Sequence, residues 1–241
     1  RGLHIQQRQN SIVVGGMMSQ HLDFSQHQLK ANSNISSQKL WIAVVSRNGT
    51  MQALNMLRPG ASHGRLDMDQ IALGPQGAIY VLGRTNHSMY QGDKYIQTAP
   101  RKSKFLVKLD SQARWQWGTT FGTPSATEGK SSMTLNVKGD IVVAAQNNQE
   151  LFVRGKKIST PQSNLVFLHF KPQDGTLRKV SQLPINVSVL GDVWMKTDRQ
   201  RHLWIRGLQT QTLHFDFRTY PLLHNDLEFT HFFFLRDIVP E

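Results

Sequence analysis

Ala78-Ile79-Tyr80-Val81-Leu82-Gly83 decides the fold, because the chain writes it four times. The counterparts are Ser11-Ile12-Val13-Val14-Gly15-Gly16, Asp140-Ile141-Val142-Val143-Ala144-Ala145 and His202-Leu203-Trp204-Ile205-Arg206-Gly207. Their last residues lie 67, 62 and 62 positions apart. The residues after each copy repeat too. An apolar triplet comes first (Leu22-Asp23-Phe24, Ser88-Met89-Tyr90, Leu151-Phe152-Val153, Leu213-His214-Phe215), then a polar triplet ending in Leu or Ile (His27-Gln28-Leu29, Lys94-Tyr95-Ile96, Lys156-Lys157-Ile158, Tyr220-Pro221-Leu222). A longer apolar run closes the set, at 41–45, 105–109, 166–170 and 232–236. A fixed period of this length means one supersecondary unit that buries its apolar face only against its neighbours.

The unit is made of strands. Its runs are short, rich in β-branched and aromatic residues, and bounded by Gly, Asn, Asp, Gln and Ser. Copy two supplies four: Gln70 to Leu73, Ala78 to Gly83, Phe105 to Leu109, and Arg114 to Trp117. Turn signals separate them, Gly74-Pro75-Gln76-Gly77 in the first gap and Asp110-Ser111-Gln112-Ala113 in the last. Copies one and three place Asn48-Gly49 and Asp174-Gly175 at that last turn, where positive φ is needed. No stretch keeps helical spacing. The fold expected is all-β, a β-propeller of four-stranded antiparallel blades, with repeats at about 1–60, 61–123, 124–186 and 187–241 forming one unit.

Gly77-Ala78-Ile79-Tyr80-Val81-Leu82-Gly83 and Lys104-Phe105-Leu106-Val107-Lys108-Leu109-Asp110 resemble the bacterial SBBP repeat. That resemblance implies a seven-bladed, quinoprotein-like propeller and an exported setting: periplasm, cell surface or secreted. It implies no single activity. Copy four departs most, with Arg206 before its glycine and no glycine turn after Arg236.

The chain opens on an inner strand, Leu3-His4-Ile5-Gln6, and stops after the third strand of copy four. Ring closure by strand exchange would draw the outer strand from upstream of Arg1, to pair with the edge Phe232-Phe233-Phe234-Leu235. The expectation is the C-terminal part of a larger ring, closed by further blades or another chain, with a self-contained four-bladed ring as the alternative.

Lys and Arg number 28 against 16 Asp and Glu, a formal charge of +12. The excess favours an acidic partner. It is dispersed in short clusters, Arg101-Lys102-Ser103-Lys104, Arg154-Gly155-Lys156-Lys157 and Arg199-Gln200-Arg201, with no nucleic-acid motif around them, so nucleic acid is not the expected partner. There are no cysteines, which removes disulfides and thiolate metal sites. No apolar run is long enough to span a bilayer as a transmembrane helix.

Candidate partner-binding residues fall in three places. His63, Arg65, Asp67 and Asp69 precede the inner strand of copy two, where propeller loops reach the channel mouth. His87, Tyr90, Lys94 and Tyr95 occupy its link between second and third strands, the tyrosines suited to stacking on a sugar. Arg154, Lys156 and Lys157 occupy the same link in copy three. His169 and His231 sit at nearby positions of equivalent strands, and Trp115 and Trp117 share a face by the two-residue period. Ten histidines form no metal-binding helix motif, and no nucleophile elbow or phosphate loop occurs, so no catalytic, metal or cofactor residue is assigned. The function expected is an exported, non-catalytic binding or scaffold propeller that holds a protein or glycan. A quinoprotein-like enzyme domain with part of its site in other blades is the alternative.

Overall fold

The computed structural model describes residues 3–8, 10–19, 21–24, 27–30, 37–96, 103–122, 131–136, 139–146, 151–158, 165–182, 189–197, 203–209, 213–215, 218–220 and 230–235. The chain is all-β with antiparallel strand pairing, and no α-helix occurs among the described residues. It divides into two compact units, Arg1–Phe121 and Gly122–Glu241.

In the first unit, copy one comprises β1 (His4–Arg8), β2 (Ser11–Met18), a hairpin of β3 (His21–Phe24) and β4 (His27–Lys30), β5 (Lys39–Ser46) and β6 (Met51–Pro59). Copy two repeats the plan with β7 (Leu66–Leu73), β8 (Ile79–Thr85), the hairpin of β9 (Met89–Gln91) and β10 (Lys94–Ile96), β11 (Ser103–Leu109) and β12 (Trp115–Gly122). One sheet runs β1-β2-β5-β6-β9-β10, so the copy-two hairpin extends the edge of the copy-one meander. The copy-two meander runs β7-β8-β11-β12. In the second unit copy three consists of β13 (Ser132–Leu135), β14 (Ile141–Gln146), the hairpin β15 (Leu151–Val153) and β16 (Lys156–Ile158), β17 (Leu165–Phe170) and β18 (Leu177–Gln182). Copy four consists of β19 (Val189–Thr197), β20 (Leu203–Gln209), the hairpin β21 (Leu213–Phe215) and β22 (Arg218–Tyr220), and β23 (Thr230–Leu235). Their meanders run β13-β14-β17-β18 and β19-β20-β23.

The link between second and third strands is therefore a hairpin in every copy, where the sequence reading had only a connection. The other turns obey the residues that forecast them. Gly49 and Gly175 take positive φ (85° and 68°), and Ala113 takes 56° at the same turn of copy two. There the Asp110 carboxylate accepts from the backbone N–H of Gln112 and Arg114, replacing the glycine's freedom with a side-chain clasp.

Immediately past this turn each of the three copies carries the same β-bulge. Val45 pairs Met51 but Val44 pairs Ala53; Leu109 pairs Trp115 but Lys108 pairs Trp117; Phe170 pairs Leu177 but His169 pairs Lys179. The extra residue reverses the phase of the outer strand. Trp115 consequently packs with the Leu109 side of the sheet, and Trp117 lies 6.2 Å from Tyr80 on the other. The expectation that the two tryptophans share a face is overturned by this bulge.

The motif's closing glycine has a packing cause. Gly16 pairs Trp41 and Gly83 pairs Phe105, and a Cβ on Gly83 would stand 2.1 Å from the Asp67 carbonyl oxygen and 2.6 Å from the Phe105 ring. Where the third strand carries Val166 instead of an aromatic, its partner is Ala145. The core of the first unit joins both copies: Val13, Leu40, Ile42, Val44 and Leu57 of copy one meet Ile71, Ile79, Val81, Phe105 and Val107 of copy two. Truncating one such side chain, as in Ile71→Ala, costs about 2–5 kcal/mol. Arg8 ties the copies at their rim, donating to the carbonyls of Gly77 and Ser111, both at 3.1 Å, and to the Ser11 hydroxyl. In the second unit the Met195 N–H donates to Ser132 Oγ (2.8 Å), joining β19 to β13.

Candidate functional site

The four hairpins share a base and differ at their centre. An apolar pair recurs in the stem of every hairpin: Leu22 with Leu29 (one pair in from His21–Lys30), Met89 with Ile96, Leu151 with Ile158, Leu213 with Tyr220. Met89 and Leu151 are fully buried, which explains the recurring apolar residue as an anchor. The middle pairs are all different: Asp23 with Gln28, Tyr90 with Tyr95, Phe152 with Lys157, His214 with Thr219. A repeated support thus presents a variable pair.

In copy two that pair is an aromatic platform. The Tyr90 and Tyr95 rings lie 5.0 Å apart at 45°, and Tyr95 is 51% exposed. Ser88 Oγ and Tyr95 Oη are 3.1 Å apart, within hydrogen-bond reach. The Arg58 guanidinium stands 5.9 Å over the Tyr90 ring and donates to the Gly92 carbonyl at 3.3 Å. Gly92, with φ 55°, makes the turn that leaves Asp93 and Lys94 in solvent. The hairpin is fixed to β6 by the pairs Arg58–Tyr90 and Pro59–Met89 and by the Gly60 N–H to the Ser88 carbonyl (2.6 Å).

The residues proposed beside it stand close by, though not all in a loop. His63 and Arg65 belong to the segment between β6 and β7, with the Arg65 N–H donating to Asn86 Oδ1 at 2.7 Å. Asp67 and Asp69 are instead inside β7. The inner strand begins at Leu66 rather than Gln70, because a bulge between Met68 and Gln70 interrupts its alternation. Asp67 accepts from Arg65 (3.2 Å) and from the Gln38 amide (3.3 Å). Asp69 is buried and paired with Arg84 on the neighbouring strand at 3.2 Å, a structural ion pair rather than a channel-mouth ligand. His87 is half-buried, its N–H bonded to Thr85 Oγ1 at 3.1 Å.

In copy three, Arg154 (φ 51°) and Gly155 (φ 74°) form the hairpin turn, and Arg154 donates to the Asp174 carbonyl at 2.8 Å. Lys156 holds the register position of Lys94, and Lys156 and Lys157 are exposed. At the edge named from the sequence, Phe232 to Leu235 pair with Arg206 back to Leu203, and among the described residues no strand flanks β23 on its other side.

One cluster escaped the sequence reading. His169 Nε2 lies 2.7 Å from Ser181 Oγ, twelve residues away across the β17–β18 hairpin. Asp140 is buried nearby and paired with Arg178 at 3.3 Å. Burial, then the Lys179 charge, push His169 down to about 4, against the pull of Asp140. His169 Nδ1 has no hydrogen-bond partner among the described residues. A serine–imidazole contact is present, but the Asp140 carboxylate pairs with Arg178 rather than orienting the ring as a catalytic triad requires. Nor is His169 the repeat equivalent of His231. His169 pairs Val142 at one end of its strand, and His231 pairs Gly207 at the opposite end of the equivalent one. Only the register, set by the bulge at Arg178, reveals this cluster.

No family model, curated protein or solved structure matches the chain. No helix among the described residues is long and apolar enough to cross a membrane.

Proposed function

We propose that this chain is an exported, non-catalytic binding module, part of a β-propeller whose blades are the repeated four-stranded meanders, and that it holds an acidic glycan on its link hairpins. The observation that carries the reading is the hairpin set itself: a buried apolar base in each described case, and a middle pair that changes from copy to copy. A scaffold that keeps its support and varies its tip is what a binding surface requires. In copy two the middle pair is Tyr90 with the exposed Tyr95, the kind of flat aromatic surface that sugar C–H faces stack on. Arg58 and Lys94 beside it, within a chain of formal charge +12, favour a carboxylated, sulfated or phosphorylated sugar. The exposed Lys156 and Lys157 of copy three have the same preference. Blade architecture is supported by the bulge recurring in three copies and by the packing of successive inner strands, β7 on copy one and β19 on β13.

A glycan array containing uronic-acid and sulfated oligosaccharides tests the function. Binding is expected, weakening as salt rises through the range where the Debye length falls below about 8 Å. Tyr95→Ala should remove it while circular dichroism stays unchanged. A flat array, with a protein recovered by pull-down in its place, would replace the glycan by a protein partner.

A further inference from the structure

A single row of residues crosses the first sheet from β2 to β10. Met18 pairs Lys39, and Leu40 pairs Leu57, so that Lys39 stands opposite Arg58. Arg58 pairs Tyr90, and Tyr90 pairs Tyr95. Residues paired in this way share one face of a sheet, with the Cβ atoms of neighbours about 5 Å apart. The row therefore sets two cations side by side and continues them into the two tyrosines. Like charges directly opposite each other destabilise a sheet. Arg58 is exposed and gives one N–H to the Gly92 carbonyl, which leaves the rest of its fork to a ligand. Lys39 is only 5% exposed, and its Nζ has no hydrogen-bond partner among the described residues. A buried ammonium without an anion is costly, and burial accordingly lowers its pKa. Nor does the repeat require this lysine. Trp41 pairs Gly16 as Phe105 pairs Gly83, so the position two residues back is Lys39 in copy one and Ser103 in copy two. A cation thus replaces a hydroxyl beside the one hairpin that carries the tyrosines.

We propose that Lys39 and Arg58 form an anion subsite that seats a carboxylate or sulfate of the sugar whose ring stacks on Tyr90 and Tyr95. One anion there relieves both costs at once. It separates the two cations electrostatically, and it gives the Lys39 ammonium the partner that it lacks. The guanidinium fork takes two anion oxygens side by side, and the lysine adds a compact charge in a poorly hydrated place. Acid specificity then comes from the sheet beneath the hairpin, while the hairpin supplies the stacking surface. The inference deepens the glycan reading and rests on it for the sugar, but not for the anion.

The test crosses variants with ligands that differ only in charge. A uronic-acid oligosaccharide and its carboxyl-reduced form, and a sulfated oligosaccharide and its desulfated form, are titrated by calorimetry into the wild type, Lys39→Met and Arg58→Gln. Lys39→Met should weaken the acidic member of the recognised pair about 10- to 100-fold, as for a lost charge-assisted contact, and leave the neutral member within about threefold. Arg58→Gln, at an exposed position, should weaken the acidic member similarly and carries the test if Lys39→Met fails to fold. Inorganic sulfate supplies an arm without sugar. At about ten times its dissociation constant it should lower the unfolding constant of the wild type about 11-fold more than that of Lys39→Met. Salting-out acts on both proteins and cancels in the difference. Acidic and neutral ligands weakened equally, with sulfate stabilising both proteins equally, would overturn the subsite. A sulfate effect lost in Lys39→Met, with no glycan bound by the wild type, would keep the anion site and remove the glycan. Glycan binding indifferent to Lys39→Met and Arg58→Gln would keep the proposed function and remove the subsite.

Discussion

Protonation of His169 should cost this protein stability at mildly acid pH. The ring is buried, hydrogen-bonded to Ser181, and flanked by Lys179 and Arg178, with Asp140 as the opposing charge among the described residues. Burial and then Lys179 bring its pKa from the ordinary 6.5 down to about 4. The folded protein therefore resists a proton that the unfolded chain accepts. The neutral ring's full contribution is present above pH 6.5, falls as pH drops through the interval below it, and levels off below about 4. Linkage over that interval gives about 2.5 kcal/mol lost between pH 7.5 and 4.5, and solvent reaching the Lys179 and Arg178 side brings the expected loss to about half of that. Urea unfolding at a series of pH values, on the wild type and on His169→Gln, measures it. Glutamine keeps a polar group for Ser181 but cannot titrate, so carboxylates that protonate in both proteins cancel in the difference. The wild-type curve should fall more steeply than the variant's between pH 6.5 and 4.5. Parallel curves, or an NMR titration placing His169 near 6.5, would refute the reasoning.

Gly83→Ala should destabilise by about 3 kcal/mol or more, read by urea unfolding, since its Cβ meets backbone as well as the Phe105 ring and neither can step aside cheaply. Lys39 is buried, and its Nζ has no hydrogen-bond partner among the described residues; burial lowers its pKa. Lys39→Met, which keeps the stem and removes the charge, should raise stability by about 1 kcal/mol at pH 7, with the gain shrinking as the wild-type lysine is neutralised at high pH. Reconstitution with calcium and pyrroloquinoline quinone should yield no dye-linked dehydrogenase activity; turnover would favour the quinoprotein-like reading instead.

How much of this was legible beforehand depended on whether the cause was local. Asn48-Gly49 and Asp174-Gly175 set their turns through their own backbone preferences, so the sequence showed them. The β-branched run Ile12-Val13-Val14 likewise marks the strand. Gly83 could be seen to recur, but its reason, a carbonyl and a ring at close range from two other strands, exists only after pairing. The bulges were not legible at all. Gln52 and Gln116 are glutamines but Arg178 is not, and neither type signals a bulge by itself; what makes the three equivalent is one unmatched position after a turn. The bulge after the turn accounts for the wrong face of Trp117 and the missed contact of His169 with Ser181, and a separate bulge inside β7 accounts for the late start of the inner strand that left Asp67 and Asp69 in a loop.

The same reasoning explains why function was harder to read than fold. A repeat exposes residues that recur, and residues recur where they hold the unit together. Met89 and Leu151 are conspicuous in the pattern because they anchor hairpins. Tyr90 and Tyr95 face positions that carry Phe152 and Lys157 in the next copy, so periodicity treats them as noise. Yet a surface that met one ligand with four identical tips would gain only valency. Different tips on a constant base can read different parts of one ligand, or different ligands, without disturbing the core that each base shares with its sheet. The Tyr90–Tyr95 pair, with Tyr95 exposed, is therefore informative because it breaks the pattern, whereas Asp69, a candidate in the sequence, is accounted for by its burial and its ion pair with Arg84.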